Sequence, residues 1–192
     1  GANAVSAVPP FYFKFTFDEI AEYYKIIQNA AGLPLIVYNV PVLSGVSVTS
    51  DNIGQIMASC DVEGIKFTSN DMFELSKIRA AYPDLCLLNG FDEIFINALP
   101  VGIQGAIGST YNIMSDKFFT ILNGFNAGDL DAAREMQKKA NEIINILIKT
   151  DVKSGIKYLL TKTGIPCGPC RRPFAALTKE KTDMLDKVLE LL

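Results

Sequence analysis

The side chains of this sequence with the most chemical potential stand at the ends of short apolar runs. Lys66 lies in Gly64-Ile65-Lys66-Phe67-Thr68. Side chains alternate along a strand, so Ile65 and Phe67 share one face and Lys66 and Thr68 the other. An ammonium held among apolar groups is poorly solvated, and its pKa should fall below the free value of about 10.4. The neutral amine is the form that attacks a ketone to give an imine. A lysine on a sheet edge or facing solvent would leave the same mark in the sequence. Tyr38 closes the run Leu35-Ile36-Val37-Tyr38-Asn39, where Ile36 and Tyr38 share one parity. A phenol there could relay a proton to a reacting oxygen, and a buried tyrosine bonded to backbone would read identically. Asn89-Gly90-Phe91-Asp92-Glu93 follows another apolar run. Its paired carboxylates could accept hydrogen bonds from the hydroxyls of a polyol. The positive end of a helix would favour the same acids without any function. Gly108-Ser109-Thr110 could offer a hydroxyl or backbone N–H groups to an anion.

Other chemistries are excluded or disfavoured. The sequence has no histidine, so Ser-His-Asp and Cys-His mechanisms and His-bound metals cannot come from this chain. Cys167-Gly168-Pro169-Cys170 has the spelling of a thioredoxin-type redox site. Such sites begin a helix after an early strand, whereas this tetrapeptide sits in a late loop and runs into Arg171-Arg172-Pro173. The other two cysteines, Cys60 and Cys86, lie in unrelated segments, which disfavours a structural zinc. No metal site is expected.

Of the 192 residues, 49% are hydrophobic and 20% charged, an ordinary globular balance. The formal net charge is -3, and basic residues cluster only briefly, as at Lys138-Lys139 and Arg171-Arg172. No nucleic-acid partner is expected from such a distribution. No apolar run reaches the roughly 18 to 20 residues that cross a bilayer. No signal peptide opens the chain, which starts at Gly1, and the cysteines suit reduced thiols. A cytoplasmic protein without a membrane partner is therefore expected.

The elements that must position these groups alternate. Strands are predicted over 4–8, 35–39, 64–68, 85–89 and 105–108. Thr16 opens the first helix, with Glu19 completing a capping box and Ile20, Tyr23, Tyr24 and Ile27 forming one stripe. Further helices are predicted over 50–59, 72–81 and 91–99, and from about Ser115. Strand ends recur every roughly 20 to 30 residues, the period of a βα unit in a parallel sheet. The rest is helical: 129–149, amphipathic through Ala133, Met136, Ala140, Ile143, Ile144 and Leu147, then 153–163 and 179–192. A doubly wound sheet would carry a Gly-rich phosphate loop after its first strand, but Pro9-Pro10-Phe11-Tyr12 stands there. The pattern suits an α/β fold, a (β/α)8 TIM barrel. Such a barrel needs about 250 residues, so the chain is read as its C-terminal five βα units plus a helical extension, with about three N-terminal units absent. Residues 1–128 would form the barrel portion, and residues 129–192 the extension packed on it.

Together these strings resemble the dihydrodipicolinate synthase/N-acetylneuraminate lyase family of class I aldolases. The likeness rests on Ser6-Ala7-Val8-Pro9-Pro10-Phe11-Tyr12, Val37-Tyr38-Asn39-Val40-Pro41, Gly64 to Ser69, Gly90-Phe91-Asp92-Glu93 and Gly105 to Asn112, in order and spacing over essentially the whole chain. The resemblance implies that Lys66 forms an imine with the ketone of pyruvate or of a sugar acid, with no cofactor. It implies that Tyr38 moves the proton, and that Thr68, Gly90, Asp92, Glu93 and Ser109 hold sugar hydroxyls. Tyr12 would lie near a subunit interface, and a complete barrel would be a homotetramer acting on sialic acid and pyruvate. The family's synthases carry an arginine two residues after the proline of Tyr-Asn-x-Pro; Leu43 stands there, and leucine cannot pair with an acidic second substrate. Cleavage of N-acetylneuraminate to N-acetylmannosamine and pyruvate is therefore the leading expectation. The family's Gly-Ser/Thr-Thr-Gly-Glu loop, which holds the pyruvate carboxylate, has no counterpart in this sequence. Another pyruvate aldolase of the family, or an inactive barrel fragment, remains open.

Overall fold

The computed structural model describes residues 1–192. Five parallel strands run in chain order: β1 (Val5–Ala7), β2 (Leu35–Asn39), β3 (Val62–Phe67), β4 (Cys86–Asn89) and β5 (Gly105–Ala106). Between them lie α1 (Phe17–Ala31), α2 (Pro41–Ser44), α3 (Ile53–Ser59), α4 (Met72–Ala81) and α5 (Phe95–Ala98). After β5 come α6 (Tyr111–Asn126), α7 (Leu130–Thr150), α8 (Val152–Lys162) and α9 (Lys179–Leu189). No helix is long and apolar enough to cross a membrane.

The chain divides into two compact units, Gly1–Phe91 with Asn97–Ile107, and Asp92–Ile96 with Gly108–Leu192. The first holds the sheet. Along β2 the odd positions Leu35, Val37 and Asn39 are buried, while Ile36 and Tyr38 are half-buried. In β3, Ile65 and Phe67 are buried and Lys66 is half-buried. The buried parity packs with Ile20 and Tyr24 of α1, Ile53 and Ile56 of α3, and Leu75 and Ile78 of α4. One face is thus sealed by helices, and the other carries Tyr38, Lys66 and Leu88 at matched register. Consecutive parallel strands with helices on one face form the wall of a (β/α) barrel. β1 and β5 are the outer strands of this sheet.

Local signals account for most boundaries. The capping box is made: Thr16 N–H donates to Glu19 Oε2 at 2.7 Å, and Glu19 N–H to Thr16 Oγ1 at 3.3 Å. Helix α3 begins at Ile53 rather than Ser50, because Ser50 N–H is held by Glu74 Oε1 at 2.6 Å and Thr49 N–H by Asn52 Oδ1 at 2.8 Å. The predicted helix over 91–99 is broken into 3-10 turns at Asp92–Ile94 and Leu99–Val101 flanking α5. Pro100 has no N–H to continue a helical ladder. β5 is shorter than predicted, although Ile107 N–H still donates to Asn89 O at 2.9 Å. The short α2 was not foreseen from sequence; Pro41 starts it and Gly45 ends it in a left-handed conformation.

The second unit is helical. α6 begins at Tyr111, earlier than Ser115, and is kinked at Met114, after which the regular helix resumes. Its Phe118 stacks edge-on with Phe95 and Tyr111, at centroid distances of 5.6 and 4.4 Å. α7 buries Ala133, Ala140, Ile143, Ile144 and Leu147, as its periodicity requires. In this division α6 falls with the C-terminal helices, whereas the sequence places it within residues 1–128.

Candidate active site

Lys66 and Tyr38 are register partners on adjacent strands. Neighbouring strands lie about 4.8 Å apart, and equal parity puts both side chains on the face that helices leave open. The Lys66 Nζ sits 3.8 Å from the centroid of the Tyr38 ring. The negative face of the ring attracts the cation and holds the amine in place. Lys66 is half-buried. Tyr38 is half-buried too. Its neighbour Asn39 is structural: Nδ2 donates to Val48 O and Oδ1 accepts from Val48 N–H, each at 3.0 Å. That staple fixes the loop carrying α2 and its exposed Leu43.

Thr68 follows β3. Its N–H donates to Asn39 O at 2.8 Å, and its side chain is buried with no partner on Oγ1. A Cβ built on Gly90 would fall on that oxygen. Glycine at position 90 thus lets the end of β4 close over the Thr68 hydroxyl. A buried hydroxyl left without a partner is costly. Cys86, on the same open face, is a poor nucleophile: burial pushes its thiol up, and the Glu63 charge adds to this.

In the helical unit the acidic turn has its own seat. Asp92 is 6% exposed. Its Oδ2 accepts from Thr110 N–H at 2.9 Å and from the Thr110 hydroxyl at 2.6 Å. Its Oδ1 is buried without a partner. A Cβ on Gly108 would collide with this carboxylate, so only glycine fits there. The donors of Gly108-Ser109-Thr110 expected to face an external anion are therefore partly used: those of Thr110 bind Asp92. Ser109 is exposed and its hydroxyl is not engaged. Glu93 is half-buried. Both acids stand in a three-residue 3-10 turn rather than at the start of the predicted helix.

Sequence reasoning missed Gln137 and Asn141, and it offered Thr110 to an external anion rather than to Asp92. Gln137 Nε2 donates to Asp92 O at 3.1 Å, and Asn141 Nδ2 to Glu93 O at 3.0 Å. The available signal was an amide inside the apolar stripe of α7. Tyr12, by contrast, is 89% exposed, has φ of 84°, and stacks edge-on with Phe13 at 4.8 Å. With Phe11 and Phe13 it forms an exposed aromatic string of the kind that marks an interaction surface. All four cysteines are free. Cys167 and Cys170 lie in a segment that starts no helix, and Lys157 Nζ donates to Cys167 O at 2.6 Å.

Comparison with known proteins adds three findings. The model of the dihydrodipicolinate synthetase family matches residues 1–192. N-acetylneuraminate lyases of Salmonella paratyphi A and Salmonella typhi are 43% identical over 194 residues, which is all of this chain and 65% of theirs. The chain therefore spans about two thirds, and slightly less, of the length of the curated relatives it matches. Among solved structures, Clostridium difficile CdNal in complex with mannosamine superposes with a TM-score of 0.95 at 34% identity, over 99% of this chain and 66% of that one. N-acetylneuraminate lyase from Fusobacterium nucleatum complexed with pyruvate gives 0.91 at 32%, over 99% and 64%. The five strands and their helices match the C-terminal part of a TIM barrel. Sheet order, the lysine–tyrosine pair and the family match over every residue agree: the chain belongs to the dihydrodipicolinate synthetase family.

Proposed function

We propose that these residues form the C-terminal part of an N-acetylneuraminate lyase, a class I aldolase that cleaves N-acetylneuraminate to N-acetylmannosamine and pyruvate. The observation that carries the reading is the Lys66 amine held 3.8 Å over the Tyr38 ring at the ends of β3 and β2. The Lys66 amine adds to the C2 ketone, and loss of water gives the iminium. Tyr38 takes the proton from the C4 hydroxyl as the C3–C4 bond breaks. The iminium accepts the electron pair as an enamine, the aldehyde leaves, and protonation at C3 followed by hydrolysis releases pyruvate and frees Lys66. Thr68, Gly90, Asp92, Glu93 and Ser109 hold the sugar hydroxyls. No cofactor takes part.

Support comes from the relatives. One solved relative, from Ruminococcus gnavus, is described as a catalytic lysine mutant of a sialic acid aldolase, and its TM-score against this chain is 0.95. Leu43, 78% exposed where the synthases carry arginine, disfavours an acidic second substrate. The exposed aromatic string around Tyr12 suits a homotetramer of complete barrels, and four free thiols suit the cytoplasm.

The test is borohydride reduction with pyruvate of a whole-barrel protein containing these residues, followed by peptide mapping. A reduced pyruvyl adduct on Lys66 is expected. An adduct on another lysine, or none, would remove the mechanism. Lys66→Arg should abolish the adduct while keeping the charge, because guanidinium stays protonated.

A further inference from the structure

The apolar stripe of α7 contains one residue that hydrophobic packing does not explain. Gln137 is 5% exposed, among Ala133, Ala140, Ile144 and Leu147. Burying an amide is unfavourable unless its hydrogen bonds are made. Those of Gln137 are made, and they converge on one short segment. Its Nε2 donates to Asp92 O at 3.1 Å and to Asn141 Oδ1 at 3.0 Å, and its Oε1 accepts from Ile96 N–H at 3.1 Å. Asn141, one turn further along the same face, donates Nδ2 to Glu93 O at 3.0 Å. The chain of bonds also fixes the amide orientations. Because Asn141 Oδ1 accepts from Gln137, its Nδ2 must point to Glu93.

We propose that Gln137 and Asn141 are positioning residues that set recognition of the sugar hydroxyls by holding the backbone under Asp92 and Glu93. The proposal rests on the lyase reading above. Neither amide needs to touch substrate. They hold the backbone carbonyls of both acids, and the amide of Ile96, against a rigid helix, while Thr110 orients the Asp92 carboxylate from the other side. A leucine or methionine at position 137 would fill the stripe equally well. An amide pair four residues apart is what a helix requires to grip two successive carbonyls. The segment it grips is two 3-10 and α fragments rather than a continuous helix, so its own ladder does not hold it.

The test uses a whole-barrel protein containing these residues, with Gln137→Met, Asn141→Asp and Asn141→Gln. Two quantities are measured for each: kcat and KM for N-acetylneuraminate, and the pyruvate concentration that half-saturates borohydride trapping on Lys66. A small displacement far from the reacting atoms can cost about a hundredfold. Gln137→Met and Asn141→Asp should each raise KM for the sugar acid about ten- to a hundredfold. Their kcat should change less than about threefold, and pyruvate trapping should stay near that of the unsubstituted protein. Asn141→Gln, which keeps a donor and an acceptor, should recover part of the loss. Equal loss of sugar affinity and pyruvate trapping would mean a merely structural role and overturn the proposal, as would an unchanged KM. If Gln137→Met fails to fold, Asn141→Asp decides alone, since Asn141 is less buried. An unsubstituted protein that traps pyruvate but cleaves no sugar acid would refute the lyase reading and this proposal with it. A cleaving protein with indifferent variants would refute only the clamp.

Discussion

Replacing Thr110 by valine tests the seat of Asp92 at its shortest bond. The Thr110 hydroxyl lies 2.6 Å from Asp92 Oδ2, and both residues are almost fully buried, at 4% and 6% exposure. Valine keeps the shape of threonine, so no cavity opens, but two things change. The hydrogen bond to Asp92 Oδ2 is lost and leaves a buried oxygen less well satisfied, at a cost of about 1–3 kcal/mol. A methyl carbon also needs roughly 3.3 Å from an oxygen, so the carboxylate is pushed back by about 0.7 Å. The bond from Thr110 N–H at 2.9 Å remains and should keep the turn folded. About 1.4 kcal/mol corresponds to a factor of ten, so sugar affinity should fall about ten- to a hundredfold. The assay is steady-state cleavage of N-acetylneuraminate by a whole-barrel protein, with the yield of reduced pyruvyl adduct on Lys66 measured in parallel. The adduct should persist, because Lys66 and its strand do not depend on this bond. Thr110→Ser, which restores the hydroxyl, should lie within about threefold of the unsubstituted protein. An unchanged Michaelis constant in the valine variant would show that Asp92 contributes nothing to sugar binding. Equal loss of adduct would show that the bond supports only the fold.

Tyr38→Phe should lower kcat by about two to four powers of ten while the adduct on Lys66 still forms, measured by turnover and borohydride trapping; unchanged turnover would make Tyr38 a packing residue. Gly90→Ala places a Cβ on the Thr68 hydroxyl and should cost about 1–3 kcal/mol in thermal unfolding. Thr68→Ala in the same protein should recover only part of this, because the Thr68 Cβ itself lies 2.8 Å from the added carbon. Leu43→Arg should weaken cleavage of neutral-tailed sugar acids and leave pyruvate trapping intact, read as a rise in KM for the sugar alone. Residues 1–192 expressed alone should self-associate in sedimentation velocity, since β1 and β5 each present an unpaired edge. A well-behaved monomer would count against that.

The strands were legible because their signal is local. Alternation in Leu35 to Asn39 and in Gly64 to Phe67 sorts residues into a face under helices and an open face, and the structure keeps that sorting. That sorting alone put Lys66 and Tyr38 on one side. Helix α1 was legible for a similar reason, since its capping box closes within three residues. The segment from Asp92 to Val101 was not legible. Its first carbonyls, of Asp92 and Glu93, are held by Gln137 and Asn141, which lie 45 and 48 residues further along the chain. Nothing in Phe91 to Leu99 itself reports those bonds, and its apolar spacing alone favours a continuous helix. The start of α6 was misplaced because the kink at Met114 separates Tyr111 from the regular turns that follow. The role of Gly108 was likewise invisible, because its reason is a carboxylate 16 positions earlier, met only in three dimensions.

Each of two glycines is fitted to one buried oxygen of its own unit. Gly90 makes room for a buried hydroxyl oxygen, and Gly108 for a buried carboxylate. In each case one oxygen, Thr68 Oγ1 or Asp92 Oδ1, has no partner among the protein's groups. Folded proteins leave few such atoms, because each forfeits its hydrogen bond to water. The two atoms differ in chemistry: one is a hydroxyl oxygen and the other a carboxyl oxygen. An acidic aldehyde would find Leu43, not a cation, at the position where the family's synthases place arginine. Under the lyase reading proposed above, leucine rather than a cation at position 43 is what a neutral, polyhydroxylated substrate would require.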